Sequence, residues 1–460
     1  MNPISVSEIR SIIGGELIHG ADDTIVRYGA YRLKQLKKKN TILFAKYKIR
    51  DWDNLQGYFP LILVTHKDYS GSRLPNNLTI VMVDSVDEAY WTFINYYRSQ
   101  FDIPIVAVTG TCGKTTTKEM IRHILSKNKN VTATKKTANS RTAHLQYLLS
   151  IDNDTDAAVI ETAVGSPGDV LNAGNYFKPT IGIITNIGAH HLSQCKTVDA
   201  YIQAKGEMIK ILDHNGILII NSEDKNTSKI DFANFPGKII KVGKSPSSQF
   251  RAIDIQFHEE GMQFDLIHNN LIYPVFVPGY GEHQVYNALA AIAAVYEMGI
   301  DLQEAIERLK SFQKFDRQLQ VIEGINGSTL LDDTWSITST SLEAAIKVLT
   351  QLGKGKKKVA VIGSILGLGT WGKSINRQAG EMIAQHDVDI LIVKGNSLAR
   401  IMADQAEKSS TNLQTYSYSK SSDVYRLLKK IIDENTIVLL KGNMYSKEMI
   451  ELASKLRMKQ

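Results

Sequence analysis

Read for hydrophobic and polar positions, the chain changes rhythm twice. Up to about residue 103, short apolar runs (TILFA from Thr41, LILVT from Leu61, TIVMV from Thr79) alternate with polar connections, and helical spacing shows only near Val86–Arg98. From Ile105 the runs become regular. IVAVT from Ile105, AAVIE from Ala157, IGIIT from Ile181 and GILIIN from Gly216 each read as a buried strand, and periodicity over Lys114–Ser126 and Thr197–Leu212 predicts helices between them. The stretch from Gly237 to about Val277 alternates with period two, most plainly in DIQFHEEGMQFDLI from Asp254, and predicts a β-ribbon followed by a helix near Gln284–Met298. After Lys314 a second series begins. Its strands are STLLD from Ser328, KVAVIG from Lys358, DILIVKG from Asp389 and TIVLLKG from Thr436; helical stretches such as SLEAAIKVL and SKEMIELASKL separate them. Strand–helix alternation of this kind predicts an α/β protein with mostly parallel, doubly wound sheets, which bind ligands at the carboxyl ends of their strands. The changes of rhythm divide the chain into three expected domains, 1–103, 104–313 and 314–460.

Length agrees with that division, since 460 residues exceed one ordinary core. Apolar residues at 43% and charged residues at 22% describe a water-soluble globular chain, with no apolar run long enough for membrane insertion and no secretory leader in MNPISVSEIR. The two cysteines, Cys112 and Cys195, supply neither a disulfide framework nor a cysteine zinc site, which agrees with a cytoplasmic location. The net charge of +7 is concentrated in KQLKKKN from Lys34 and KGKKK from Lys354. Both runs sit where turns precede apolar strands, so they read as solvated turns, not as a nucleic-acid face. The surplus would still draw anionic substrates.

The sharpest chemical signal is IVAVTGTCGKTTTKEMI. An apolar strand ends at Thr109, a turn passes through Gly110, Thr111, Cys112 and Gly113, and Lys114, Thr115 and Thr116 open a helix. Glycines permit the backbone angles of a phosphate cradle, and the helix N-terminus faces the anion. Lys114 would neutralise the β- and γ-phosphates of ATP, and Thr115 would hold Mg²⁺. Val108 stands where the general phosphate-loop pattern has its first glycine. Cys112 has no partner base in the sequence and reads as a spacer.

TGTCGKTTTKEM resembles the ATP loop of the Mur ligases, and further segments resemble that family in order. VIETAVGSPGDV is similar to the segment whose glutamate binds Mg²⁺, which implies that role for Glu161. TNIGAHHLSQCKT is similar to a motif whose histidine matches His191, not His190. AKGEM resembles the segment whose lysine is carbamylated in many members, which implies Lys205 as a carbamate serving a second Mg²⁺. GEHQVYNALAAIAA carries His283 and Asn287 of another signature, with Asn287 implied at the adenine. Arg317 matches the arginine opening the family's C-terminal domain, LLDDTWS supplies Asp332 and Asp333, and VLLKGNM retains Lys441. The wording is nearest to the branch that adds D-alanyl-D-alanine to a UDP-muramoyl tripeptide. Singly these residues have plainer readings: Asn287 a turn cap, His191 a loop histidine, Glu161 a strand-end acid, Lys205 a helix-surface lysine. Their joint order carries the resemblance.

The resemblance implies three domains, with a phosphate-loop centre and a Rossmann-like C-terminal domain. It also implies an ATP-dependent carboxylate–amine ligase working through an acyl phosphate, with two Mg²⁺ ions, small-molecule acid and amine partners, a monomeric state, and an open form that closes on ATP. Arg317, Asn287 and Asp333 would grip the nucleotide. The departures lie in substrate-facing segments: Trp335-Ser336-Ile337-Thr338-Ser339 after the two aspartates, Ser364 and Gly367 in place of acids, Asn443-Met444 in place of serine-arginine, Gln284 after His283, Asn139-Ser140 in place of an asparagine pair, and YGAYR where a uridine motif is expected. They predict altered substrate pockets and a non-standard acceptor. Two alternatives remain: a conventional wall-peptide ligase, and a nucleotide-binding regulatory partner without activity.

Overall fold

A computed structural model describes residues 1–135, 139–189, 192–212 and 214–458. The central nine-stranded sheet runs, edge to edge, Leu271–Pro278, Gly261–His268, Phe250–His258, Lys238–Gly243, Ile217–Asn221, Ile181–Ile184, Ile105–Thr109, Ala157–Glu161 and Val131–Ala133. Every pairing from Phe250–His258 to Val131–Ala133 is parallel, and the two hairpins at the other edge are antiparallel. Strand Ile105–Thr109 is buried throughout because both its faces are covered. Val106 and Val108 pack with helices Lys114–Leu125 and Glu282–Glu297, while Ala107 joins the cluster that includes helix Val198–Gly206.

The C-terminal sheet is ordered Gln320–Glu323, Thr329–Asp333, Thr436–Lys441, Lys357–Gly363, Ile390–Lys394, Gln414–Tyr418, and only its first pair is antiparallel. The N-terminal sheet is ordered Glu16–His19, Leu78–Met82, Leu61–Thr65, Thr41–Phe44, Tyr28–Ala30. The α/β class expected from the strand–helix rhythm is therefore the class observed.

Three details differ from the expected elements. The helix expected over 197–212 is broken at Glu207 into Val198–Gly206 and Met208–Ile211. Glu207 is engaged elsewhere: its carboxylate accepts the N–H groups of Gly168 at 2.6 Å and Leu171 at 3.3 Å, at the start of helix Asp169–Phe177. Strand Lys238–Gly243, read as ribbon, pairs in parallel with Ile217–Asn221 and extends the main sheet. Helix Val6–Ile13 sits in a stretch that showed no helical spacing; Ser5 caps it by accepting the Glu8 N–H, and Gly14 ends it at φ 70°.

The cores are continuous between units. Phe44, Tyr90 and Phe93 share a cluster with Ala158, Ala173 and Tyr176, and the Tyr90 and Tyr176 hydroxyls lie 2.5 Å apart. Ala107, Ile184 and Ile187 likewise share a cluster with Leu331, Ile337, Leu342 and Ile365. The last pairing brings the carboxyl ends of the central strands against the C-terminal unit, where ligands of such sheets bind.

Candidate active site

The phosphate loop leaves the middle of the central sheet, between Ile181–Ile184 and Ala157–Glu161. Glycine is required at both of its bends. Gly110 has φ 149°, and a Cβ there would lie 1.9 Å from Thr185 Oγ1; Gly113 has φ 83°, and its Cβ would lie 2.3 Å from Asn287 Oδ1. The adjoining strand end anchors the loop. Asn186 accepts the Thr111 N–H on its carbonyl at 2.8 Å and the Cys112 N–H on its side chain at 3.0 Å, while Thr185 Oγ1 donates to the Cys112 carbonyl at 2.6 Å. The Lys114 ammonium curls back onto the Gly110 and Thr111 carbonyls, both at 3.0 Å. The N-terminus of helix Lys114–Leu125 follows directly, so N–H dipole ends and an ammonium converge at one place. Thr116, almost buried, lines the same cleft.

Glu161 ends the neighbouring strand and is buried. Its carboxylate accepts from Thr115 Oγ1 at 2.8 Å and from Asn139 Nδ2 at 2.7 Å, and its own N–H donates to Thr134 Oγ1 at 3.0 Å. A hydroxyl and a carboxylate at the helix start form a hard-oxygen pair suited to Mg²⁺. His191 lies outside the described residues. Lys205 is fully buried and donates to the Gly110 carbonyl at 2.8 Å, with its ammonium 4.6 Å from the centre of the Tyr201 ring. Burial, reinforced by Lys114, holds this amine well below the usual lysine range. Lys205 is thus placed beneath the phosphate loop and does not line the cleft.

The C-terminal unit forms the opposite wall. Lys441, buried at the end of strand Thr436–Lys441, pairs with Asp333 at 2.5 Å. Burial raises the Asp333 carboxyl and Lys441 opposes that rise. His283, at the start of helix Glu282–Glu297, is pushed down to about 4 by burial and then by Lys441. Asn287 bonds Gln284 Oε1 at 3.0 Å and packs on Gly113. Arg317 does not line the cleft; its guanidinium lies 5.2 Å from the Trp335 ring, and Trp335 lines the cleft in front of it. Asp332 turns away and accepts from Thr334 Oγ1 at 2.7 Å. Between the two walls is a cleft of about 970 Å³, bordered by Gly110–Thr116, Glu161, His283, Asn287, Asp333 and Lys441 among others. An anion cradle, a hydroxyl–carboxylate pair suited to Mg²⁺ and the buried Lys441 in one space can hold a triphosphate against a second substrate.

Residues 108–295 match the family model for the Mur ligase middle domain. Among curated proteins, the UDP-N-acetylmuramoyl-tripeptide–D-alanyl-D-alanine ligase of Bacillus subtilis (strain 168) is 26% identical over 378 residues, covering 82% of this chain and 81% of that protein. The enzyme of the same name from Escherichia coli (strain K12) is 25% identical over 452 residues and 96% of each chain. Residues 108–295 of this chain therefore resemble the Mur ligase middle domain, and the chain's length is covered by relatives of one name. Its fold is that of MurF from Acinetobacter baumannii, with a TM-score of 0.83 at 23% identity over 99% of both chains. MurF from Thermotoga maritima in complex with ADP gives 0.76 at 20% identity, over 94% of this chain and 97% of that one. The similarity to proteins of the MurF type thus extends over most of the chain, at 25–26% identity.

Several residues on or behind this cleft were not singled out as site residues by motif. Asp224 and Asn226 hold the segment after strand Ile181–Ile184: Asp224 accepts the Ile187 N–H at 2.9 Å and Asn226 Nδ2 donates to the Ile187 carbonyl at 2.7 Å. Arg141 and His144 line the wall beside Asn139. His144 Nδ1 lies 3.0 Å from Asn172 Oδ1, its buried Nε2 has no partner among the described residues, and burial pushes its pKa down to about 4. Their partners Asp169 and Asn172 are 28 residues away in sequence, so no local spacing marks them.

Proposed function

We propose that this protein uses ATP to phosphorylate the terminal carboxylate of a UDP-N-acetylmuramoyl peptide and passes the acyl group to an amine whose pocket differs from that for D-alanyl-D-alanine. The observation that carries the reading is the shared cleft, in which the Gly110–Thr115 loop and the Thr115–Glu161 pair face the Lys441–Asp333 pair. A carboxylate oxygen attacks the γ-phosphorus, ADP leaves, and the acid becomes an acyl phosphate. The neutral amine then attacks the carbonyl, the tetrahedral adduct expels phosphate, and the amine proton leaves to solvent. The expelled phosphate keeps one oxygen of the original carboxylate.

The residues position and neutralise. Lys114 leaves the loop carbonyls for the β- and γ-phosphates, and loop N–H groups hold their oxygens. Thr115 and Glu161 would hold Mg²⁺, which supplies Lewis-acid charge at the phosphate oxygens. Asn287, Asp333 and the Arg317–Trp335 stack take the nucleoside from two sides. Lys205, whose charged form is disfavoured by burial, would add CO₂ as a carbamate with loss of one proton, and His191 would join it at a second Mg²⁺. Lys205→Ala with activity restored by a short carboxylate supports that role, and indifference to both CO₂ and the carboxylate removes it.

The altered acceptor is supported by Met444 and Gly367, which stand where the resemblance expects an arginine and an acid, beside Trp335, Leu366 and Tyr445 on the same wall. The names of the relatives favour a second reading, with D-alanyl-D-alanine itself as the acceptor. Release of ADP with UDP-N-acetylmuramoyl tripeptide and a panel of amines separates them. Full turnover requires both substrates, and a preference of at least tenfold for another amine over D-alanyl-D-alanine supports the altered pocket. Equal or better turnover of the dipeptide establishes the second reading, and release indifferent to acid and amine removes both.

A further inference from the structure

We infer that Arg141 is a specificity-determining residue that receives a second anionic group of the acid substrate, so that the preferred acid is a dianion with its two anionic groups a few bonds apart. This deepens the ligase reading and rests on it. The guanidinium sits on the cleft wall with its side chain about half exposed, at 48%. It is fixed at one edge only. Its Nε donates to Asp169 Oδ1 and its Nη2 to the Pro167 carbonyl at 3.3 Å, whereas Nη1 has no partner among the described residues. Asp169 is itself held, since its Oδ2 accepts the N–H groups of Gly165 and Ser166, each at 2.8 Å. A guanidinium clamped at its base, with a donor edge left over, is preorganised for an oxyanion and loses little side-chain entropy on binding one.

Its position relative to the reaction centre sets the ligand. Residues 139–141 run beside residues 161–169 and are joined to them at both ends: Asn139 Nδ2 bonds the Glu161 carboxylate at 2.7 Å, and Arg141 bonds Asp169. The Glu161 carboxylate is therefore at one end of this strip and the guanidinium at the other. The Cα atoms of Asn139 and Arg141 are at most about 7 Å apart, two residues of extended chain. An acid whose reacting carboxylate lies near Glu161 and its Mg²⁺ reaches Arg141 with a second carboxylate on a short spacer. Asp169 neutralises part of the guanidinium charge, but its two oxygens are occupied by the bonds above, so it does not repel an anion from the Nη1 edge as a free carboxylate would.

The probe is glutarate, a five-carbon diacid, titrated calorimetrically into the full chain saturated with Mg²⁺ and a non-hydrolysable ATP analogue. Arg141→Gln is expected to weaken glutarate at least tenfold, Arg141→Lys to recover part of that loss, and affinity for the ATP analogue to stay within twofold in both. The monoamide of glutarate is expected to bind wild type and Arg141→Gln alike. Steady-state assays with UDP-N-acetylmuramoyl tripeptide are expected to show the Arg141→Gln effect in KM for the acid, with kcat within threefold. Glutarate binding that is absent in the wild type, or equal in wild type and Arg141→Gln, overturns the assignment. A wild type that binds glutarate through Arg141 but turns over no muramoyl peptide leaves the assignment standing and removes the muramoyl substrate instead.

Discussion

Lys114 and Glu161 stand on different elements at the proposed triphosphate site, and each carries a separable expectation. Removing one preorganised charge from a phosphoryl-transfer site costs on the order of 10²–10³ in rate. Lys114→Ala and Glu161→Gln are each expected to lower ADP release by at least about 100-fold while leaving circular dichroism unchanged; a loss under tenfold in either would contradict the assigned role. His144 makes a pH prediction. Its folded pKa is about 4 against the ordinary 6.5, because burial disfavours the imidazolium. The unfolded chain therefore binds the extra proton first, so the contribution of neutral His144 is complete above about pH 6.5 and is lost as pH falls to about 4. The shift corresponds to about 3 kcal/mol, and His144→Gln is expected to flatten the urea midpoint over that window. The phosphate-loop residues were legible in sequence because strand, glycines, lysine and threonine are contiguous. Arg141 and His144 were not, because their meaning comes from helix Asp169–Phe177.

Among elements, the turn at Gly113 couples the phosphate loop to helix Glu282–Glu297. Any side chain at Gly113 meets Asn287 Oδ1 at 2.3 Å and must also hold φ 83°. Gly113→Ala is expected to destabilise the protein by about 1 kcal/mol or more and to abolish binding of an ATP analogue. Gly57→Ala, where an added Cβ meets nothing within 4 Å, should stay within about 0.5 kcal/mol. Thermal unfolding and calorimetry check both; a Gly113→Ala protein that binds ATP normally contradicts the packing argument. Fully buried strands such as Leu61–Thr65 and Ile105–Thr109 were readable from their apolar runs. Val131–Ala133 and Gln414–Tyr418 were not, since they sit at sheet edges and none of their residues is buried. Glu207 shows the remaining kind of miss: periodicity continues through it, but a tertiary bond to Gly168 redirects it.

For the whole molecule, the two walls of the cleft are in contact. Trp371 Nε1 donates to the Lys196 carbonyl at 3.0 Å, the Ser193 N–H to the Gly367 carbonyl at 3.4 Å, and Cys112 Sγ lies 3.2 Å from Thr338 Oγ1 at the cap of helix Ser339–Leu352. A closed cleft excludes water from an acyl phosphate. Trp371→Phe keeps an aromatic ring and removes the bond, and is expected to raise ADP release in the absence of amine at least threefold over wild type. An unchanged ratio of uncoupled to coupled turnover would contradict a sealing role for that contact. The family resemblance conveyed this two-walled arrangement, but not the bonds that close it, which join residues 174 to 226 positions apart.

The central claim is that an acid is made electrophilic by phosphate transfer inside this cleft. The direct measurement is mass spectrometry of the phosphate released when UDP-N-acetylmuramoyl tripeptide carries ¹⁸O in its terminal carboxylate and the solvent is ordinary water. Phosphate bearing one ¹⁸O from the acid is the result the account predicts. Unlabelled phosphate during amide formation, or phosphate labelled only when the solvent is H₂¹⁸O, would contradict it.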